Sequence, residues 1–286
     1  LTYNYCANGL ADEVIGMWVL NEGVSGMTIQ TYQEGGKSIF TGFSLGANDY
    51  LTNMESTYKV VGNLMFQKTG DRYFVTRLTY VPNGTAMGDI LSTTATILVN
   101  GNYVTSTYSF LRIKQSLDLA GQNYNYIKTY VSNVKGEDKD IDFMGYTFNF
   151  AKMDGSGLDK MLKSLLFAVE FPDANTLGYS YQMNGNKETY NSPIVVEGNK
   201  MTIKMSAKVP TLKDVVLYAF QDADCSQMHF YMHKTAFVSF YTNMQAMLMA
   251  ATNEQFDITN AEAVNAIYDN INNAVETINV SLVMTK

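Results

Sequence analysis

Cysteine, histidine, proline and charge are all scarce in this chain. Two cysteines, Cys6 and Cys225, stand far apart in 286 residues. That is too few for a disulfide framework, and the pair reads as free thiols, with one bridge between them as the alternative. Only 16% of residues are charged, the net charge is -7, and no Lys/Arg cluster interrupts the acidic balance. A nucleic-acid partner would want a basic stripe, so that class is excluded. No apolar run approaches the ~18–20 residues of a membrane-spanning helix. No signal peptide is visible, and Cys6 follows Tyr3-Asn4-Tyr5 instead of the small and aliphatic residues of a lipid-attachment site. A lipid anchor, if the protein carries one, is expected upstream of Leu1.

The two histidines, His229 and His233, are the whole supply. Four apart on a strand, they face the same side, with Asp222, Asp224 and Cys225 just before them. A metal site can be drawn there, but catalytic zinc normally takes three fixed protein ligands, and a solvated or structural pair is the plainer reading. A Ser-His-Asp triad would have to use one of these two, and no Gly-x-Ser-x-Gly elbow accompanies them. Asp154-Gly-Ser-Gly-Leu-Asp159 lacks the alternating acids and terminal Glu of a calcium loop. The glycine-rich pieces Gly23–Gly26 and Gly35-Gly36 are not followed by Gly-Lys-Ser/Thr, so no phosphate loop is present. No cofactor is called for.

What the chain has in quantity is hydrophobic residues, at 46%, with 20 Tyr, 15 Phe and 17 Met. Tyr, Phe, Thr and Val suit a pleated, half-buried surface. Asn83-Gly84, Asn100-Gly101 and Asn184-Gly185 are candidate type I′ hairpin turns. The clearest hairpin runs from Thr94 to Phe110 around Asn100-Gly101. Many short strands separated by turns predict barrels or sandwiches. Three segments switch to helical spacing. Ser156–Val169 carries an apolar stripe and a Ser156/Asp159 capping box. A second stripe runs through Phe240, Met244, Met247, Leu248 and Ala251. A third helix is expected over about Thr259–Glu276, with Thr259/Glu262 as its capping box. The tail, with Ile278, Val280, Leu282 and Met284 on one side, reads as a final strand. Met228–Phe240 reads as a strand whose Met228, Phe230 and Met232 face the core.

An internal repeat is visible. Tyr58–Asn63 followed by Leu64–Lys68 matches Ile194–Asn199 followed by Lys200–Lys204: strand, Gly-Asn turn, strand. Gly16-Met17-Trp18 upstream of the first copy is set against Met144-Gly-Tyr-Thr-Phe148 upstream of the second. Thr107–Lys114 is set against His229–Lys234. The chain is therefore read as a first β domain over 1–133, a charged linker over 134–142, and a second β domain with helical inserts over 143–286.

Gly16-Met17-Trp18 at the head of an all-β unit resembles the Gly-x-Trp of lipocalin-like (calycin) domains, and the layout resembles the tandem lipocalin-like lipoproteins of gut Gram-negative bacteria. The resemblance covers about residues 12–115 and, less closely, 143–240. It implies an up-and-down barrel closed at one end by Trp18, with Arg112 from a late strand stacked across the ring. In the second half Tyr146 stands for the Trp, with Lys234 as the nearest cation. It also implies a secreted or envelope protein. Three functions are compatible with these features. The first is a binding protein for a small apolar ligand or an envelope protein, with the methionine-rich Met228, Phe230, Met232, Met244 and Met247 as ligand-contacting candidates. The second is a structural or adhesive envelope component. The third is a hydrolase or metal enzyme built on His229 and His233.

Overall fold

The computed structural model describes residues 10–20, 28–43, 51–85, 88–143, 146–183, 185–253 and 255–286. The chain is mainly β and forms two closed antiparallel barrels of eight strands each. The first uses β1 (Gly16–Leu20), β2 (Thr28–Gln33), β3 (Lys37–Phe43), β4 (Leu51–Val61), β5 (Leu64–Thr69), β6 (Arg72–Thr85), β7 (Gly88–Val99) and β8 (Asn102–Ile113), in sequence order. β8 closes on β1 with Arg112 opposite Trp18 and Phe110 opposite Leu20. Up-and-down order needs only short connections, and the residues supply them. Asn100 and Gly101 take φ of 50° and 81°, the left-handed pair that a two-residue hairpin turn requires. Asn83, also left-handed at φ 49°, does not make the turn expected of it. It sits inside β6, where the pairing with β7 slips between Val81 and Thr85, so the Asn-Gly there serves an irregularity in the ladder.

The second barrel begins with β9 (Gln122–Gly136). A two-stranded sheet of β10 (Asp140–Phe143) and β11 (Tyr146–Asn149) comes next, then α1 (Ser156–Ser164). The wall resumes with β12 (Ala168–Asp173), β13 (Thr176–Met183), β14 (Asn186–Glu197), β15 (Lys200–Ile203), β16 (Val215–Gln221) and β17 (Gln227–His233). After them stand α2 (Lys234–Thr252) and α3 (Ala261–Ala274), and β18 (Val275–Thr285) closes the wall against both β17 and β9.

The expected linker at 134–142 is therefore corrected. Val134 to Gly136 complete β9, Asp140 opens β10, and the boundary between the two compact units falls between Gln115 and Ser116. The charges misled because this stretch is the exposed end of β9 and its connection to β10, where Lys135 pairs with Glu276 and Asp138 with Lys152. Tyr146 likewise lies in β11, outside the barrel wall. The helices begin differently from expectation too. The strand through Met228 stops at His233 and α2 starts at Lys234, so residues 234–240 are helical. α1 ends at Ser164, leaving Val169 in β12. Its N-cap is Gly155 in the left-handed region with no side-chain cap, because Asp159 is spent on Tyr126, Thr129 and Lys163. α3 is capped by Asn260, whose side chain accepts from the Glu262 and Ala263 N–H groups, and not by Thr259.

Tracing the ladders once around either barrel returns to the starting strand displaced by about 12 residues, against about 8 in a TIM-type barrel of the same strand number. The larger displacement tilts the strands and widens the lumen. The ladders also map one barrel onto the other. Trp18 corresponds to Tyr124, Met65 to Met201, Leu78 to Ala219, Leu91 to Met228 and Phe110 to Met284, and all ten are buried. The Gly-Asn repeat joins the fourth and fifth wall strands in both. Gly62 and Gly198 take φ of 61° and 64°. The Leu78 N–H donates to Asn63 O and the Ala219 N–H to Asn199 O, each at 2.8 Å. The other two pairings do not survive. Thr107–Lys114 is an eighth strand whereas His229–Lys234 belongs to a seventh, and the counterpart of Trp18 is Tyr124.

Candidate functional site

The floor of the first barrel is built around Trp18. Its ring is fully buried, its Nε1–H donates to Val14 O at 2.8 Å, and the Arg112 guanidinium lies over it at 4.3 Å from the centroid. Arg112 is held from every side. Nε donates to Asp89 at 3.0 Å, Nη1 to Ile15 O at 2.8 Å, and Nη2 to Glu13 O. Burial pushes the Asp89 carboxyl up, but hydrogen bonds from Tyr80 and the Asn83 N–H, with the Arg112 charge, hold it below the ordinary carboxylate value. Gly16 completes the motif: at φ 134° a Cβ there would stand 2.9 Å from Arg112 Nη1. Together these groups close one end of the barrel with a salt bridge and an apolar plug of Val14, Met65, Leu78, Leu91 and Phe110.

In the second barrel the space above the floor is filled. α2 is apolar on all sides and is inserted where β17 would otherwise turn back; Phe237, Val238, Tyr241, Met247 and Leu248 are buried with the wall residues. Between helix and wall remains an apolar cavity of about 80 Å³. Of the ligand-contacting candidates, Phe230, Met232, Met244 and Met247 line it, and Met228 does not, being one level lower on the floor. Asn243, at its edge, exchanges two hydrogen bonds with the Lys213 backbone, so it offers the cavity no free polar group. Tyr179 donates to Met247 Sδ at 3.3 Å. Pockets that bury a typical ligand run to about 300–1,000 Å³, so this interior is a packed core with a dry void.

The same level of the first barrel is different. Gln30 lies across from both Trp18 and Phe40 and so faces inward with them. Carried across by the ladders, the cavity-lining Val169, Leu177, Ile203, Leu217, Phe230 and Leu282 correspond to Gln30, Ser38, Gln67, Thr76, Thr93 and Tyr108. Six apolar positions in one lumen are six hydrogen-bonding side chains in the other. Ser56 and Thr69 join them through a hydroxyl–hydroxyl bond of 2.5 Å, and Gln67 Nε2 donates to Ser38 Oγ at 3.1 Å. Tyr108, on the shelf itself, is 48% exposed, and above it the inward-facing residues are apolar but open to solvent: Met54 is 45% exposed, Phe74 40% and Ile97 50%. The cause is the connection after the seventh strand. Ile97 corresponds to Lys234, where the second barrel's wall turns into α2; the first barrel instead runs on to the two-residue turn at Asn100-Gly101. Its lumen is a cup with a closed floor, a polar waist and an apolar rim.

His229 and His233 lie on the outward face of β17, opposite Met228, Phe230 and Met232. His229 sits between Phe220 and Val283, both buried, and its Nε2 is buried without a hydrogen-bond partner. Burial pushes its pKa down to about 4. His233 Nδ1 lies 2.8 Å from Asn279 Oδ1. Among the described residues no three His, Cys, Asp or Glu side chains gather around a common point. Cys225 is buried, and Cys6, the other half of the considered bridge, lies outside the described residues. No helix among the described residues is long and apolar enough to cross a membrane.

Sequence reasoning misses the polar waist. Thr28, Gln30 and Tyr32 share one face of an alternating strand, and a Gln amid core positions is a visible signal; assigning that face to a lumen needs the ladders. No known protein family matches the chain, and no characterised protein or solved structure does either. The two antiparallel eight-stranded barrels are consistent with a tandem lipocalin-like arrangement at the level of fold.

Proposed function

We propose that this is a binding protein whose first barrel holds a small, largely apolar ligand in its cup, while the second is a barrel plugged by its own helix. One observation carries the reading. Inward-facing Met54, Phe74, Ile97 and Tyr108 are 40–50% exposed in a closed barrel, where wall residues ordinarily bury one another. Side chains of this kind, backed by a few polar groups, make the usual lining of a ligand site. The proposal includes the lipocalin-like kinship and a secreted or envelope-facing setting, with an anchor upstream of Leu1.

The test is titration with the uncharged dye N-phenyl-1-naphthylamine, read both by dye emission and by Trp18, which is the sole tryptophan and forms the cup's floor. Saturable binding with one site per chain, abolished by Ile97→Glu, supports the reading. Absence of saturable binding, or full binding by the Ile97→Glu variant, removes it.

A second reading, an adhesive or structural surface component, has its own support. The β7–β8 tip presents Leu98 at 62% and Tyr103 at 80% exposure on its outer face. Self-association in sedimentation that Leu98→Asp abolishes would favour it.

A further inference from the structure

The first barrel's cup has a chemical preference written into its waist. Gln30 is 8% exposed, and its Nε2 donor is buried with no hydrogen-bond partner. It faces the lumen one level above Trp18, on a wall where Ser38, Ser56, Gln67 and Thr69 are engaged with one another. An amide donor left unmatched in a protein interior is costly and rare, and such groups ask for an acceptor that is absent from the bare chain. The second barrel shows what the fold does at this position without that demand: it places Val169 there and packs it.

Charge narrows the class. Among the described residues, the inward-facing positions between the floor and the rim carry no ionisable group other than tyrosine. Arg112, at the floor, is already bound to Asp89 and two backbone carbonyls. Arg72 stands at the rim, exposed at the end of the β5–β6 hairpin. An anion or a cation carried down to the waist would lose its hydration and meet no opposite charge, so a charged head group is disfavoured there. A neutral oxygen is not.

We propose that the cup takes an uncharged amphipathic molecule head down. Its hydroxyl or carbonyl oxygen accepts from Gln30 Nε2, and its apolar body lies along the Tyr108 ring and, at the rim, Phe74, Met54 and Ile97. This rests on the reading of the first barrel as a ligand-binding cup and adds the ligand's class and its orientation.

The experiment is competition against bound N-phenyl-1-naphthylamine on the full chain at pH 8, with decan-1-ol and decanoate as equal-length competitors. The wild type and Gln30→Val are compared, the variant carrying the residue that the second barrel has at this level. Decanol displacing the dye at least tenfold more tightly than decanoate, with this preference, taken relative to each protein's own dye affinity, falling about tenfold in Gln30→Val, supports the proposal. The variant's melting temperature is read alongside, and it is expected to rise, since an unmatched buried donor is removed. Equal displacement by the two competitors, or an unchanged decanol affinity in a folded Gln30→Val, overturns the head-down assignment while the cup itself stands. If the dye does not bind the wild type, the cup reading falls instead.

Discussion

Replacing Gly16 by alanine tests the closed end of the first barrel at one atom. Two costs add. A residue with a side chain at φ 134° is strained by about 1–3 kcal/mol. The new methyl would also stand 2.9 Å from Arg112 Nη1, and Arg112 cannot swing away cheaply because Asp89, Ile15 O and Glu13 O hold its guanidinium. Moving it surrenders the 2.8 Å bond to Ile15 O and part of the stack over Trp18. Such a stack is worth about 0.5–2 kcal/mol, and a hydrogen bond from a charged donor about 1.5–3 kcal/mol. With partial relaxation the loss should come to about 2–4 kcal/mol. Urea unfolding monitored by Trp18 emission isolates this barrel, because no other tryptophan exists. Far-ultraviolet circular dichroism reports both barrels together. The expected result is an early Trp18 transition with the later part of the dichroism curve unmoved. A Trp18 midpoint within about 0.5 kcal/mol of wild type would refute the reasoning, since that is the range of an ordinary surface substitution.

In the second barrel, His229 is held neutral, its pKa pushed down from 6.5 to about 4 by burial. Between those values the unfolded chain binds a proton that the folded one refuses, so its contribution is intact above pH 6.5 and is lost as pH falls toward 4, at about 1.4 kcal/mol per pH unit. Urea midpoints from pH 7.5 to 4.5 should slope less in His229→Phe; an unchanged slope would show that the ring is not the group responsible. Asn260→Ala removes the acceptor for the Glu262 and Ala263 N–H groups and should cost about 1 kcal/mol by thermal denaturation. Phe230→Ala should cost about 3–5 kcal/mol and enlarge the dry cavity. Benzene should then raise the variant's melting temperature and leave the wild type's unchanged, whereas equal shifts in both would mean that the existing void already admits it.

How much of the fold is legible in the sequence depends on how local each signal is. The Asn100-Gly101 turn, the Gly-Asn repeat and the strands beside them are written within a few residues of one another, and they read directly. The start of the second barrel is not local. Val134–Gly136 look like a linker because Lys135 faces water from the end of a strand; only pairing with β18 reveals the wall, and Asp140–Phe143 pair with β11 outside it. The start of α2 is hidden for a different reason. A helix buried on every side has no polar stripe, so Lys234 to Phe240 continue the apolar texture of the strand before them. Asp159 shows a third limit: its place three residues after Ser156 suggests a cap, but Tyr126 and the Thr129 N–H, far away in sequence, claim it first.

Each barrel has its own floor, built from corresponding residues, and the two differ above that level. Their fourth turns, buried methionines on the fifth strand and large buried residues on the first are in register. At the next level the second barrel has Val169, Leu177, Ile203 and Leu217, and it inserts a helix of 19 residues that these side chains pack against. Among the described residues the first barrel has no such helix between its seventh and eighth strands, and the corresponding positions are Gln30, Ser38, Gln67 and Thr76. The two differences are coupled. An apolar waist is stable only if something apolar covers it, and a polar waist covered by an apolar helix would strand its hydrogen-bonding groups. A wide barrel with a polar waist and no helix is therefore consistent with one that admits water or a molecule with a polar end. Gln30, whose donor is buried beyond the reach of its neighbours, is the position at which those two occupants would differ most in energy.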